Sequence, residues 1–291
     1  MRVALVTNAA SGGGTDGGPV AARLRAAGAE VTVHPFDPDD SGNAIDDAAD
    51  AAVADGPDRL AVAGGDGSIG PVAARAAAAG IPLAVIPTGT ANDFARALDL
   101  PLDAGDACVL AATGTRERPV DLHHAGDRPF LNAASAGLSV IAAHRAEPLK
   151  RPLGPLAYGV GALRAGLSAD PLRCRVTADG AQVFAGAAWQ VIVAGTGAFG
   201  GGAELEEADP ADRLVDVAVL EAGPRVALVR RAWGMRSGGL EAQPGVHHAR
   251  ATTIEVETAP PAPFNVDGEV CAVVPPRFCA RGERVRVVCG D

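Results

Sequence analysis

Lysine is nearly missing from this chain of 291 residues: it occurs once, at Lys150, so arginine carries almost all the positive charge. No Lys follows any glycine run, which excludes a G-x-x-x-x-G-K-[ST] loop. Any phosphate bound here must be held by backbone amides, hydroxyls, arginine or a metal. There is also no G-x-G-x-x-G after a strand with an acidic residue about 20 positions on, so the nicotinamide-dehydrogenase fingerprint is excluded. Aromatic residues make up only 3% of the chain. No apolar run reaches the roughly 18–20 residues that a membrane span needs. No signal-peptide pattern precedes the first strand, and a cytoplasmic protein is expected. Cys108, Cys174, Cys271, Cys279 and Cys289 are scattered, with no C-x-x-C and no His at metal spacing, which fits reduced, mostly buried thiols. A net charge of −10 lacks the basic footprint of a nucleic-acid binder, and no nucleic-acid partner is expected.

What is present is alternation. The length calls for one large domain or two ordinary ones. The first part predicts strands at Arg2–Thr7, Glu30–His34, Arg59–Ala63 and Leu83–Ile86. Helices are predicted at Pro19–Ala27, Ala44–Ala54, Pro71–Ala79, Asn92–Ala97 and Ala104–Ala112. Strands alternating with helices imply parallel βαβ units and a sheet covered on both faces. After about Pro119 strands dominate: Val120–His123, Pro129–Ala133, Arg173–Ala178, Ala181–Ala185, Gln190–Ala194, Val215–Leu220, Thr253–Glu257 and Arg284–Val288. Ala178-Asp179-Gly180 reads as a hairpin loop. Helical insertions are expected near Pro155–Leu167 and Pro224–Met235. The expected division is an α/β domain over 1–118 and a β-rich domain over 119–280, with 281–291 a candidate to rejoin the first.

Two strands in the first part end abruptly in polar, glycine-rich turns that run into helices. The turns are Gly64-Gly65-Asp66-Gly67-Ser68 and Pro87-Thr88-Gly89-Thr90-Ala91-Asn92-Asp93. Strand, glycine turn and helix bring backbone N–H groups to an anion at the carboxyl end of a sheet. Glycine permits positive φ and close backbone approach. Each turn carries a carboxylate, Asp66 and Asp93, which points to polyphosphate with a divalent cation. Asp93 or Asn92 alternatively caps the following helix. A third cluster, Asn8 to Gly14, follows the first strand and falls at the same edge.

These residues resemble the diacylglycerol kinase catalytic-domain family, which includes bacterial lipid kinases, sphingosine kinases and ceramide kinases. GGDGS at 64–68 is similar to the family's GGDGT, and PTGTANDFAR at 87–96 follows P-x-G-T-x-N-D-F-A-R throughout. Asn8 to Gly12 resembles N-P-x-S-G. Phe130-Leu131-Asn132, Leu153 to Tyr158, Phe199 to Gly202, and Asp212 to Val217 follow further segments. Asp267-Gly268-Glu269 matches a D-G-E near the family's end. The resemblance implies an α/β nucleotide-binding domain like that of NAD kinases, a β-sandwich-like second domain, and an active site in the cleft between them. It implies transfer of the ATP γ-phosphate to a lipid hydroxyl, with diacylglycerol a leading candidate. A kinase for a soluble metabolite, NAD-kinase-like, and a non-catalytic lipid- or nucleotide-binding regulator are the alternatives.

On that resemblance Asn8, Ser11, Gly64, Gly65, Gly67, Ser68, Thr90 and Asn92 are assigned to ATP. Asp66 and Asp93 are assigned to Mg²⁺, which prefers carboxylate and water oxygens. Arg23 and Arg25 either reach the phosphates or form a solvated helix face. Glu269 is the first choice for the general base, with Asp66 its rival. Asp267 beside it binds metal, orients Glu269, or simply forms a β-turn. Asp212 and Asp216 are candidates for a second, structural Mg²⁺ site, although Arg213 stands where the pattern has Gly. A second departure is Gly70-Pro71, where the family continues with Asn and Glu.

The expected partner is a lipid at the membrane surface, met by transient peripheral contact at the inner face; a homodimer is left open. Six basic residues, Arg145, Lys150, Arg151, Arg164, Arg173 and Arg175, lie in a span with a surplus of four positive charges. That span is expected to face anionic lipid.

Overall fold

The structure is a computed structural model that describes residues 1–9, 17–37, 44–138, 140–141, 170–199, 203–205, 208–225, 228, 239–271 and 277–290. Ser11, the Pro155–Leu167 insertion, most of Pro224–Met235, and the basic residues Arg145, Lys150, Arg151 and Arg164 lie outside them. The chain divides into two compact units, residues 1–122 with 282–291, and residues 123–281.

In chain order the first elements are β1 (Arg2–Asn8), α1 (Gly18–Ala26), β2 (Glu30–Phe36), α2 (Ala44–Ala54), β3 (Arg59–Gly64), α3 (Asp66–Ala79), β4 (Leu83–Pro87), α4 (Asp93–Ala97), α5 (Ala104–Thr113) and β5 (Arg116–Ala125). Then follow β6 (Arg128–Phe130), β7 (Ala133–Gly137), β8 (Leu172–Ala178), β9 (Ala181–Ala194), β10 (Ala198–Phe199), β11 (Ala203–Glu204), β12 (Val215–Glu221), β13 (Val246–Ala251), β14 (Thr253–Ala259), β15 (Phe264–Val266), β16 (Glu269–Cys271) and β17 (Arg277–Cys289).

The first unit is built on a parallel sheet in the order β17-β4-β3-β1-β2. Its central strands β1, β3 and β4 are apolar on both faces because helices cover both. Val3 and Leu5 of β1 share a core with Ala21 and Leu24 of α1 and with Ala107, Cys108 and Ala111 of α5. Ala4 and Val6, on the opposite face by strand alternation, are also buried. The buried Arg59 guanidinium donates to the carbonyls of Ala111 (2.5 Å) and Gly114 (2.8 Å), satisfying the carboxyl end of α5. Desolvation draws its pKa below the ordinary arginine value.

Helix α3 begins at Asp66, not at Pro71, so Gly67, Ser68 and Gly70 are helical and Pro71 lies inside the helix. Proline has no N–H to give to the Gly67 carbonyl, and its ring crowds the preceding residue. That preceding residue is the buried Gly70, which has no Cβ to clash. Gly70 and Pro71, together one departure from the family pattern, are therefore a compensated pair. Pro71→Ala should raise the stability of the first unit by about 1–2 kcal/mol, the helix gain being partly offset by a freer unfolded chain. Chemical denaturation reads this, and a loss of stability would contradict the account.

The second unit is antiparallel. Strand β9 pairs with β7, β8 and β12, β12 with β13, β14 with β8 and the first part of β17, and β15 with β7 and β16. Its core joins Phe130, Val176, Val191, Val217, Ile254, Phe264 and Phe278. Strand β8 shows the half-buried alternation expected of it: Arg173 and Arg175 are exposed while Cys174 and Val176 are buried. Burial pushes the Cys174 thiol up to about 11. The β8–β9 hairpin turns at Asp179 (φ 46°) and Gly180 (φ 83°), the doubly positive geometry that suits strand twist. Asp267 (φ 47°) and Gly268 (φ 93°) close the β15–β16 hairpin in the same way.

Several strands depart from the sequence reading. Ala181–Ala185 and Gln190–Ala194 are one strand, joined through Ala185-Gly186-Ala187, whose small exposed residues give no alternation. Pro129–Ala133 is instead split into β6 and β7 at Leu131-Asn132. Strands β13, β15 and β16 were not expected. All five cysteines are free thiols.

Candidate active site

The first unit brings together the carboxyl ends of β1, β3 and β4. Gly64 lies beside Pro87 in the β3–β4 register, and the Thr88 N–H donates to the Gly64 carbonyl at 3.0 Å. One residue further on the two turns touch: a Cβ added to Gly89 would lie 2.6 Å from the Gly65 Cα. Only glycine allows that approach. The Asn92 side chain closes the second turn, its Oδ1 accepting from the Gly89 N–H and its Nδ2 donating to the Gly89 carbonyl, both at 3.0 Å. Asn92 itself is left-handed (φ 52°), a conformation that asparagine tolerates better than most residues.

Asp66 is the first residue of α3, and its Oδ1 accepts the Phe94 N–H at 3.0 Å. The amide it holds belongs to the residue after Asp93, so Asp66 and Asp93 meet at one junction of the chain. Asn92 is the N-cap of α4 but makes no side-chain cap bond. The cap oxygen on Phe94 comes from Asp66, 28 residues earlier, which sequence reasoning did not assign. Asp93 is buried, at 6% exposure. The Thr88 hydroxyl oxygen is buried with no hydrogen-bond partner among the described residues, while Thr90 is exposed. Asn8 ends β1 at the same edge.

A phosphate chain with Mg²⁺ fits this junction. Mg²⁺ is typically held by one or two carboxylates together with phosphate and water oxygens, so Asp66 and Asp93 suffice in donor type and number. The Thr88 hydroxyl, unpartnered among the described residues, suits a phosphate oxygen. Arg23 and Arg25 are turned to other work. Arg23 lies beside Asp103 and Gly105 of α5, and Arg25 donates to the Val31 carbonyl at 3.1 Å.

In the second unit Asp267 is buried, and its carboxylate accepts three consecutive backbone amides: Leu131 (2.8 Å), Asn132 (3.0 Å) and Ala133 (3.0 Å). Those amides are withheld from strand pairing, which is why β6 and β7 separate there. Asn132 Oδ1 in turn accepts the Thr196 hydroxyl at 2.9 Å. Glu269, two residues on, has a side chain 59% exposed and pairs with Arg128 at 2.5 Å. The turn reading and the functional reading of Asp267-Gly268-Glu269 thus describe different atoms: backbone turn, anchored Asp267, outward Glu269.

Asp212 and Asp216 do not fit a second metal site. Arg250 pairs with Asp212 and, at 3.3 Å, with Asp216, and the His248 Nε2 lies 2.9 Å from Asp216. The chain's own guanidinium supplies the cation there. Arg213 adopts φ 66°, the left-handed conformation natural to the Gly of the family pattern. Among the described residues no group of three or more His, Cys, Asp or Glu converges as metal ligands.

This parallel-sheet edge brings two glycine turns into contact, with Asp66 and Asp93 at their junction. Residues 2–125 match the diacylglycerol kinase catalytic domain, and residues 132–289 match the YegS C-terminal NAD kinase beta sandwich-like domain. A protein of Pseudomonas putida named "Probable lipid kinase YegS-like" is 35% identical over 241 residues, 79% of this chain and 76% of that one. The fold is similar to that of a diacylglycerol kinase from Bacillus anthracis (TM-score 0.72, 21% identity, 99% of this chain and 97% of that one). It is also similar to that of an NAD kinase from Archaeoglobus fulgidus in complex with ATP (TM-score 0.54, 15% identity, 100% and 94%). The chain belongs to the diacylglycerol kinase family, and at the level of that family it is a lipid kinase, a transferase. No helix among the described residues is long and apolar enough to cross a membrane.

Proposed function

We propose that this protein transfers the γ-phosphate of ATP to the hydroxyl of a membrane lipid, with diacylglycerol the first candidate. The observation that carries the reading is the Asp66–Asp93 junction, where two glycine turns meet in a chain of the lipid kinase family. The likeness to an NAD kinase complexed with ATP supports that nucleotide. Phosphoryl transfer needs positioning and charge neutralisation more than covalent chemistry from the protein. Gly64, Gly65, Gly67, Ser68 and Thr88 receive the phosphates, with Asn8, Thr90 and Asn92 flanking them. Asp66 and Asp93 would hold Mg²⁺, which would supply neutralising charge on the phosphate oxygens. The lipid oxygen bonds to the γ-phosphorus as the bond to the β–γ bridging oxygen breaks, and ADP leaves. Glu269 accepts the hydroxyl proton, a role open to its outward carboxylate and not to the three-bonded Asp267.

A lipid-panel assay with labelled ATP and Mg²⁺ tests this reading, with diacylglycerol, a sphingoid base, phosphatidylglycerol and a polyprenol as acceptors and NAD as soluble control. Label should enter a lipid. Label in NAD alone, or in nothing, would overturn it. Within the same assay Gly89→Ala should lower kcat/KM for ATP by roughly 10–100-fold, because the added methyl forces the two phosphate turns apart. An unchanged value would remove the crossing turns from the nucleotide site.

A further inference from the structure

Strand β6 is three residues long and is tied down at both ends. At its start, the Gly126 N–H donates to the Arg277 carbonyl at 3.0 Å. Arg281 donates to the Gly126 carbonyl and, at 3.1 Å, to the Asp127 carboxylate. At its end, Asp267 holds the amides of Leu131, Asn132 and Ala133. The residue fixed between these anchors is Arg128, and its Nη2 meets Glu269 Oε2 at 2.5 Å. Burial works against the Arg128 charge, but the bond to Glu269 and the proximity of Cys271 and Asp267 more than offset it, so its pKa stands above the ordinary value.

The Asp267 bonds stabilise the fold, but an ion pair as exposed as Arg128–Glu269 contributes only about 0–1 kcal/mol to folding, so the pair itself does little for stability. What the arrangement does achieve is direction. Glu269 sits on a three-residue strand next to a two-residue turn, and its side chain is 59% exposed. A long carboxylate in that setting loses rotamer freedom only if something holds it. We propose that Arg128 is a positioning residue that holds the Glu269 carboxylate in the orientation from which it accepts the lipid hydroxyl proton. The inference rests on the reading of Glu269 as proton acceptor. The two acidic residues of the Asp-Gly-Glu segment then have separate roles. Asp267 fixes the strand that carries Arg128, and Arg128 fixes Glu269.

The test is a double-mutant cycle of Arg128→Gln and Glu269→Gln in the lipid kinase assay, with Arg128→Lys as the conservative variant. Arg128→Gln should lower kcat by roughly 10–100-fold with KM for ATP within about twofold of wild type, the cost of a mispositioned catalytic group. In the Glu269→Gln background the same substitution should change kcat by less than about twofold, since no carboxylate remains to orient. Arg128→Lys should recover part of the loss, because a lysine still offers a cation but not the fixed guanidinium fork. Melting temperatures of the variants exclude unfolding as the cause. Wild-type kcat in Arg128→Gln, or an equal loss in both backgrounds, would overturn the positioning role alone. Full activity of Glu269→Gln would instead remove Glu269 as the proton acceptor, and the inference with it.

Discussion

Asp66→Asn is expected to lower kcat by at least about 10²–10³-fold while leaving the fold intact, the scale seen when a preorganised electrostatic group is removed from a reacting centre. Asparagine is close to isosteric and keeps an Oδ1, so the bond to the Phe94 N–H that seats α4 survives. What disappears is one of the two negative charges proposed to hold Mg²⁺. The loss should therefore come with a raised Mg²⁺ requirement, and an unchanged melting temperature should separate it from misfolding. Asp66→Ala makes a useful companion because it also removes the cap on Phe94, so its melting temperature should fall where that of Asp66→Asn does not. Full activity of Asp66→Asn would remove the phosphate-and-cation reading of this junction.

The largest effect on stability is expected in the second unit, from Asp267→Ala. Three adjacent amides, at Leu131, Asn132 and Ala133, would lose their acceptor at a buried position. Each unsatisfied buried group costs about 1–3 kcal/mol. With some relief from entering water the total should be roughly 3–5 kcal/mol. For a unit of this size that is a fall of about 10 °C in melting temperature. Asp267→Asn should lose less, because Oδ1 still serves the Asn132 and Ala133 amides while the new NH₂ group faces the Leu131 N–H. Calorimetry on the two variants reads the order directly. A change below about 1 kcal/mol in Asp267→Ala would show that the amides find other acceptors.

Legibility from sequence followed the physics of each element. β1, β3 and β4 are short apolar runs ended by polar turns, and α2 is bounded by glycine and aspartate on both sides, so their positions could be read. Strand β13 could not, because Val246-His247-His248-Ala249 is half-buried throughout and shows no period of two. The start of α3 was missed because Gly67, Ser68 and Gly70 are poor helix formers. Their conformation is imposed by the fixed Gly65 turn and by burial of Ile69 and Val72. At the site, residue type and spacing revealed Asp66, Asp93 and the glycines. They did not reveal that Asp66 caps α4, or that Arg250 occupies the Asp212–Asp216 pair. Arg128 left no local signal at all, since its partner lies 141 residues away along the chain.

Strand β17 leaves the second unit at Arg281 and supplies the first with Val285, Val287 and Val288, all buried, Val287 lying beside Leu83 of β4. On the ribosome residues 1–122 emerge before the second unit, yet their sheet lacks this strand until residues 282–289 have been made. At ordinary elongation rates of about 5–20 residues per second, β4 waits many seconds for its parallel partner. The unit proposed to hold the nucleotide is thus begun before the second unit and completed after it. A fragment cut after Leu122 would keep β4 as an open, apolar sheet edge prone to pairing with other chains.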